Sequence, residues 1–305
     1  CESIDTDIYL LIDEWSSIPS DLQPLLSEFL KRSFLPVPRI TIKIAALEYR
    51  SHFRLPDSNT GFELGSDIAS NLDLDDHFVF DRNPTAITET FAEILFRHVV
   101  SGIEPGYFEK QWGVKNSADF LKVVFTNSEN FRELVRASEG VVRDMINIFT
   151  NAYFESRRLG KSKVDKKTII ESSRKWFEQD KAPNLDDDLQ KVLRKIVNEV
   201  IGKRRARSFL IPRELEKHDT IQRLFDARVL HLIRRGYADK DTPGLRYNVF
   251  GLDYGTYVDL INTNQQPELN LVDVAERQES EDVIVPFDDS RSIRRIILSA
   301  EVLNY

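Results

Sequence analysis

The chain has 305 residues, of which 41% are hydrophobic and 30% charged, enough apolar material for a packed core and too much for wholesale disorder; the length suits about two domains. A single cysteine excludes an internal disulfide and any thiolate set for zinc or an iron–sulfur cluster, so no structural metal is expected. The purest apolar run, Ile8 to Ile12, is five residues long against the ~20 needed to cross a bilayer; with no signal peptide visible, a reducing, cytoplasmic setting without membrane contact is expected.

Ile8 to Ile12 is the pattern of a strand buried on both faces of a parallel sheet, and it ends in Asp13-Glu14. Ser20 and Gln23 then have the spacing of a capping box. The following helix sets Leu22, Leu25, Leu26, Phe29 and Leu30 on one stripe and stops at Pro36 and Pro38. Ile40 to Leu47 is a second β run, so strand, helix and strand make a βαβ unit with a right-handed crossover. A weaker strand is expected at Phe78-Val79-Phe80.

From Pro84 the period changes to helical: Ala86 to Val100, then segments near 117–124, 128–136 and 139–156. In the last, Val142, Met145, Ile146, Phe149, Ala152 and Tyr153 share a face and Arg143 lies off it. Lys161 to Gln179 and Asp186 to Ile201 read as two more helices. Pro212 opens a short helix to about Lys217, and Asp219 caps another, with Ile221, Leu224 and Phe225 inward. Val229 to Ile233 and Leu245 to Phe250 read as strands around the turn Asp241-Thr242-Pro243-Gly244. Helix, turn, helix and hairpin in that order form a winged helix-turn-helix. The tail from Asn264 is polar and acidic, with one apolar patch, Val283-Ile284-Val285, as a docking segment.

The formal net charge of −8 is unevenly spread. Arg157 to Arg235 holds 22 lysines and arginines against 12 acids, the electrostatic footprint of a nucleic-acid-binding module. If Thr220 to Arg228 is the recognition helix, Arg223 and Arg228 face away from its apolar stripe and can meet phosphates or a guanine edge. Lys203, Arg204, Arg205 and Arg207 suit phosphate contacts just before the motif, and Lys240 and Arg246 suit them in the wing.

An apolar strand ending in Asp-Glu is the Walker B pattern. A strand in a parallel sheet delivers its C-terminal residues to the crevice where ligands bind. The first carboxylate there can hold Mg²⁺ through water, and the second can orient or deprotonate the water that attacks a γ-phosphate. A Walker A loop, which cradles phosphates in backbone N–H groups, is missing: Gly160-Lys161-Ser162 has Glu155 where the first glycine belongs and follows a helix. Residue 1 is cysteine and the only methionine is Met145, so we read the chain as the trailing part of a longer protein, inactive in ATP hydrolysis by itself. The five histidines show no metal-ligand spacing, and the aspartate clusters at 73–76 and 186–188 lack the glycine and terminal glutamate of a calcium loop.

Ile8 to Phe53, IYLLIDEWSSIPSDLQPLLSEFLKRSFLPVPRITIKIAALEYRSHF, resembles the Walker B to sensor 1 half of an AAA+ ATPase of the origin-recognition and archaeal-initiator branch. Glu139-Gly140-Val141-Val142-Arg143-Asp144 resembles the start of the sensor 2 helix in the AAA+ lid, and the winged helix follows where that family has one. The resemblance spans about residues 4 to 262. It implies an α/β plus α fold: a partial parallel-sheet nucleotide-binding domain (1–82), a helical lid (83–156), a winged-helix domain (157–262) and an acidic tail (263–305). It implies ATP and Mg²⁺ as ligands, duplex DNA as a partner and self-association. Asp13 is then the Mg²⁺-associated acid, Glu14 the catalytic glutamate and Arg143 the sensor 2 arginine. Glu48 stands where the family carries a polar sensor 1 residue, usually Asn, Thr or Ser, and Arg50 and Arg54 are arginine-finger candidates. The competing readings are a signalling ATPase of the STAND type, or a non-enzymatic scaffold, whose winged helix docks on protein.

Overall fold

The computed structural model describes residues 6–68, 72–78, 80, 83–204, 206–238, 244–260 and 296–304. The chain divides into two compact units, Cys1–Asp73 and Leu74–Tyr305, and is mixed α/β with helix predominating.

In the first unit, β1 (Ile8–Ile12) and β2 (Ile40–Ile44) pair in parallel, Ile8 opposite Ile40 through Ile12 opposite Ile44, with α1 (Gln23–Ser33) as the crossover. Isoleucine-rich runs fit the pleated strand because their branched side chains pack against neighbours. Leu10, Ile12, Ile42 and Ile44 face a small core of Trp15, Leu30 and Phe62, where Trp15 is fully buried and stacks on Phe53 at 5.3 Å. The expectation that β1 is buried on both faces fails among the described residues. Tyr9 and Leu11 are exposed, because this sheet has two strands and one helix layer rather than two.

Helix α1 also departs from its expected pattern. Its N-cap is Leu22, without a side-chain hydrogen bond, and Pro24 lies in its first turn. Gln23 is buried: its Nε2 donates to the carbonyls of Ile18 (2.8 Å) and Arg50 (3.1 Å), and its Oε1 accepts from the His52 N–H (2.6 Å). A buried amide needs these partners, and meeting them rotates the helix. Leu30, Ser27 and Pro24 turn inward, while Leu22, Leu25 and Phe29 remain exposed.

The second unit begins with α2 (Leu74–Phe78), where the sequence had suggested a strand through Phe78. Then come α3 (Pro84–Ser101), α4 (Tyr107–Trp112), α5 (Ser117–Val124), α6 (Ser128–Ala137), α7 (Val142–Arg158), α8 (Lys166–Trp176) and α9 (Asp187–Val197). Asn83, Asn116, Asn127, Asp165 and Asp186 each cap a helix by accepting a backbone N–H three residues on. Helix α4 was not foreseen. Helices α8 and α9 each run on through a π-helical turn, Phe177–Lys181 and Asn198–Gly202.

The chain then forms β3 (Ser208–Pro212), a 3₁₀ turn (Arg213–Lys217), α10 (Asp219–Asp226), β4 (Leu230–Ala238) and β5 (Arg246–Leu252). The sheet is antiparallel in the order β3-β5-β4. Strand β3 was not foreseen, and His218 rather than Asp219 caps α10 through the Thr220 N–H. The tail's last residues belong to this unit. Ile297 bridges Leu210 on β3, Leu298 N–H donates to the Leu210 carbonyl (3.0 Å), and Leu303 in α11 (Ala300–Leu303) is fully buried. One hydrophobic core runs from Phe80 to Leu303. The turn 241–243 and the patch Val283-Ile284-Val285 lie outside the described residues, within which no helix is long and apolar enough to cross a membrane.

Candidate functional site

Asp13 and Glu14 leave the carboxyl end of β1 and are exposed. Asp13 Oδ1 accepts the Glu14 N–H at 2.8 Å, and Glu14 has a left-handed backbone (φ 54°). That conformation is uncommon for a residue with a side chain, and it turns the chain into the 3₁₀ turn Trp15–Ser17. Trp15 thus drops into the core while the two carboxylates stay at the rim.

The carboxyl end of β2 is stitched to the same rim. Ala45 N–H donates to the Ile12 carbonyl (2.9 Å), Trp15 N–H to the Ala45 carbonyl (3.2 Å), and Leu47 N–H to Ser16 Oγ (2.8 Å); Ser16 and Ser51 share a hydroxyl bond at 3.2 Å. Asp13, Glu14 and Glu48 therefore lie at one end of the parallel pair, with Glu48 exposed in the 3₁₀ turn Glu48–Arg50. Arg50 is exposed, and its carbonyl is held by Gln23. Arg54 folds back over its own loop, donating to the Ser58 carbonyl (2.7 Å) and Asn59 Oδ1 (2.6 Å) and pairing with Glu63 at 3.5 Å. A finger that reaches another subunit has to leave those three partners. Gln23 and Ser16, which fix this rim, were missed by sequence reasoning, because a buried amide on an amphipathic helix leaves no periodic signal.

In the second unit Arg143 is exposed on the first turn of α7 and has no acidic partner among the described residues. Its neighbour Asp144 is fully buried. Lys181 Nζ lies 2.9 Å from Asp144 and 2.5 Å from Asp253, His231 Nε2 lies 3.0 Å from Asp253, and Arg228 bridges Asp144 and Asp180. Burial alone would raise the Asp253 carboxyl, but the Lys181 and His231 charges and bonds outweigh it and bring it down to about 2. Burial opposes charge on Lys181 too, yet Asp253 and Asp144 hold its ammonium above the ordinary lysine value. Nearby, Tyr254 donates to Glu133 at 2.6 Å in a buried setting.

The expected phosphate contacts divide sharply. Arg207 is only 6% exposed and pairs with Glu139, 4% exposed, at 2.8 Å. Arg228 lies beyond α10 in a left-handed conformation and is held by two aspartates. Arg207 would have to leave a buried pair to meet a phosphate, and a buried charge released from its partner costs several kcal/mol; Arg228 is partly exposed, with its guanidinium engaged by Asp144 and Asp180. Arg223 is half exposed and pairs with Asp186. Lys203, Arg204 and Arg246 are exposed, with Lys203 beside Glu199 and Arg246 donating to the Gly236 carbonyl. Arg205 and Lys240 lie outside the described residues. Gly160-Lys161-Ser162 sits in the α7–α8 loop with Lys161 bound to Asp165 at 2.6 Å, away from any strand.

Among the described residues no group of three or more His, Cys, Asp or Glu side chains is placed to hold a metal ion. No protein-family model matches the chain, and no curated protein is significantly similar to it.

Proposed function

We propose that the chain carries part of a nucleotide-dependent, DNA-binding AAA+ protein of the origin-recognition type, acting as a self-associating ATPase. The observation that carries this reading is the parallel β1–β2 pair with Asp13 and Glu14 at its carboxyl rim, the end of an open α/β sheet where ligands bind. Asp13 has one oxygen on its own chain and the other without a partner among the described residues, which suits holding Mg²⁺ through water rather than directly. Mg²⁺–ATP, when bound, supplies the scissile phosphate and the ion that neutralises it. Glu14 is the base that orients a water or takes its proton, and Glu48 occupies the sensor 1 position. Arg143 fits a γ-phosphate sensor: a cation in a helix's first turn opposes the helix dipole and gains nothing from a carboxylate here. The sequence β3, short helix, α10, β4, β5 fits a winged helix, with Lys203, Arg204, Arg223 and Arg246 as the exposed or half-exposed cations among those expected to meet phosphates.

The test is turnover of the full-length protein. Glu14→Gln is expected to abolish ATP hydrolysis while ATP binding, read by equilibrium dialysis, is retained; unchanged turnover removes Glu14 from the mechanism. A second reading, a STAND-like signalling ATPase or a scaffold whose winged helix binds protein, is favoured by the internal engagement of Arg207 and Arg228. Absence of DNA binding at low salt decides for it.

A further inference from the structure

Arg207 is buried against Glu139 and Arg228 is engaged by two aspartates, but the basic surplus of residues 157–235 has a further concentration away from them. Between α7 and α8 the chain reads Arg157-Arg158-Leu159-Gly160-Lys161-Ser162-Lys163-Val164-Asp165-Lys166-Lys167, six cations and one acid in eleven residues. The loop is pinned at both ends. Val164 is buried, its N–H donates to the Val124 carbonyl (2.8 Å), its carbonyl accepts the Thr126 N–H (3.0 Å), and Lys161 N–H donates to the Ser156 carbonyl (2.9 Å). Lys163 Nζ reaches the Lys122 carbonyl at 2.6 Å, so a seventh cation, Lys122, stands beside the loop.

Some of this charge is neutralised internally: Arg158 by Glu155, Lys161 by Asp165, and Lys167 at the limit of an ion pair, 4.0 Å from Glu171. Arg157, Lys163 and Lys166 have no carboxylate partner among the described residues. Arg157 lies over the Tyr153 ring at 4.9 Å. Lys166 and Lys167 open α8, whose first turn holds no acid. Cations there oppose the helix dipole, at a cost of about 0.3–1 kcal/mol each; Glu171 offsets part of it for Lys167, and no carboxylate among the described residues does so for Lys166. The arrangement makes physical sense when an anion arrives from outside.

We propose that this loop is a second phosphate-backbone contact for duplex DNA, with Arg157, Lys163 and Lys166 as its contacting side chains. The inference rests on the DNA-binding reading above and adds a surface on the helical part of the unit, outside the winged-helix elements. A membrane surface fits less well. Interfacial binding needs an apolar stripe or a lipid chain beside the basic residues, and the exposed apolar side chains here, Phe154 and Leu159, are five positions apart and form no stripe.

The experiment is fluorescence anisotropy of a random-sequence duplex with the full chain, across a salt series. Each lost phosphate contact lowers the slope of log K against log salt by about 0.9. The triple variant Arg157→Gln/Lys163→Gln/Lys166→Gln is expected to lower it by about 2–3 and to weaken binding roughly tenfold or more at moderate salt. Circular dichroism checks that the variant is folded, as three exposed substitutions should leave it. Lys110→Gln/Lys115→Gln, two exposed cations of the same unit, controls for bulk charge. An equal drop per residue in the control overturns the proposal. If the triple variant binds as the parent does while Lys203→Gln/Arg246→Gln weakens binding, the loop contact falls and the DNA reading stands. If the parent binds no duplex at low salt, both fall. Binding to phosphatidylserine vesicles through the same three residues, without DNA binding, overturns the proposal in favour of a lipid headgroup.

Discussion

Glu139 and Gly140 turn the chain from α6 into α7 through two successive left-handed residues, φ 48° and 83°. Glu139 tolerates this because its carboxylate is bound by Arg207. Gly140 has a stricter reason: a Cβ there would sit 1.9 Å from the Phe78 carbonyl oxygen. Gly140→Ala must therefore move backbone as well as occupy a disfavoured φ, and a loss of about 2–3 kcal/mol is expected, measured as a lower urea midpoint. An unchanged midpoint would mean that α2 shifts freely. The adjacent pair Arg143 and Asp144 shows how finely α7 sorts charge. A step of about 100° around the helix separates an exposed cation without an acidic partner from a fully buried carboxylate bound to Lys181 and Arg228.

At the scale of elements, the Lys181 cluster joins α7 through Asp144, the π-helical turn through Lys181 and Asp180, the start of β4 through His231, and the residue after β5 through Asp253. Such a cluster is weak evidence for stability against an apolar substitute, but removing one partner leaves a charge stranded. Asp253→Asn is expected to cost about 3–5 kcal/mol at neutral pH. The pH dependence has a definite sign. The Asp253 carboxyl lies at about 2 against an ordinary 3.8, so its contribution is complete above the ordinary value and is lost as the pH falls through the folded one. The raised Lys181 contributes below its ordinary 10.5 and is lost as the pH rises beyond its folded value. Urea titrations should show an acid limb of order 2 kcal/mol between about pH 4 and 2, flattened in Asp253→Asn; an identical limb in the variant would assign it to other carboxylates. None of this cluster is legible in the sequence. Periodicity located α5, α6, α7 and α9 to within a few residues, because each has an apolar stripe that must be buried, and it placed β1, β2, β4 and β5. It missed β3, five residues between a basic run and the expected helix at Pro212, a run too short to carry a clear period. It mistook Phe78 for a strand residue, where tertiary packing favours a short helix. The rim acids Asp13 and Glu14 were legible because a strand ends abruptly in charge. Internal ion pairs were not, since an arginine looks alike in sequence whether it faces water or a buried glutamate.

At the scale of the whole molecule, the chain's last described residues help complete the second unit. Ile296 to Leu298 lie along β3, the edge strand of the β3-β5-β4 sheet, through bonds to both the N–H and the carbonyl of Leu210. This satisfies backbone groups that an open edge would leave exposed. Strand alternation then decides which side chains matter: Ile296 and Leu298 are buried and Ile297 is 48% exposed. Beyond them, Leu303 fills a fully buried position, its carbonyl accepts from Thr220 on α10 at 3.3 Å, and Lys195 on α9 caps the Asn304 carbonyl at 2.8 Å. A segment some forty residues past β5 in sequence thereby ties together α9, α10 and β3. Leu303→Ala is expected to cost about 2–4 kcal/mol, and Ile297→Ala less than about 1 kcal/mol, since roughly half of its side chain is already in water. Thermal unfolding followed by circular dichroism ranks the two. Equal and small losses would mean that the terminal segment rests on the unit without contributing to it, and the core would then end at Val258 rather than at Leu303.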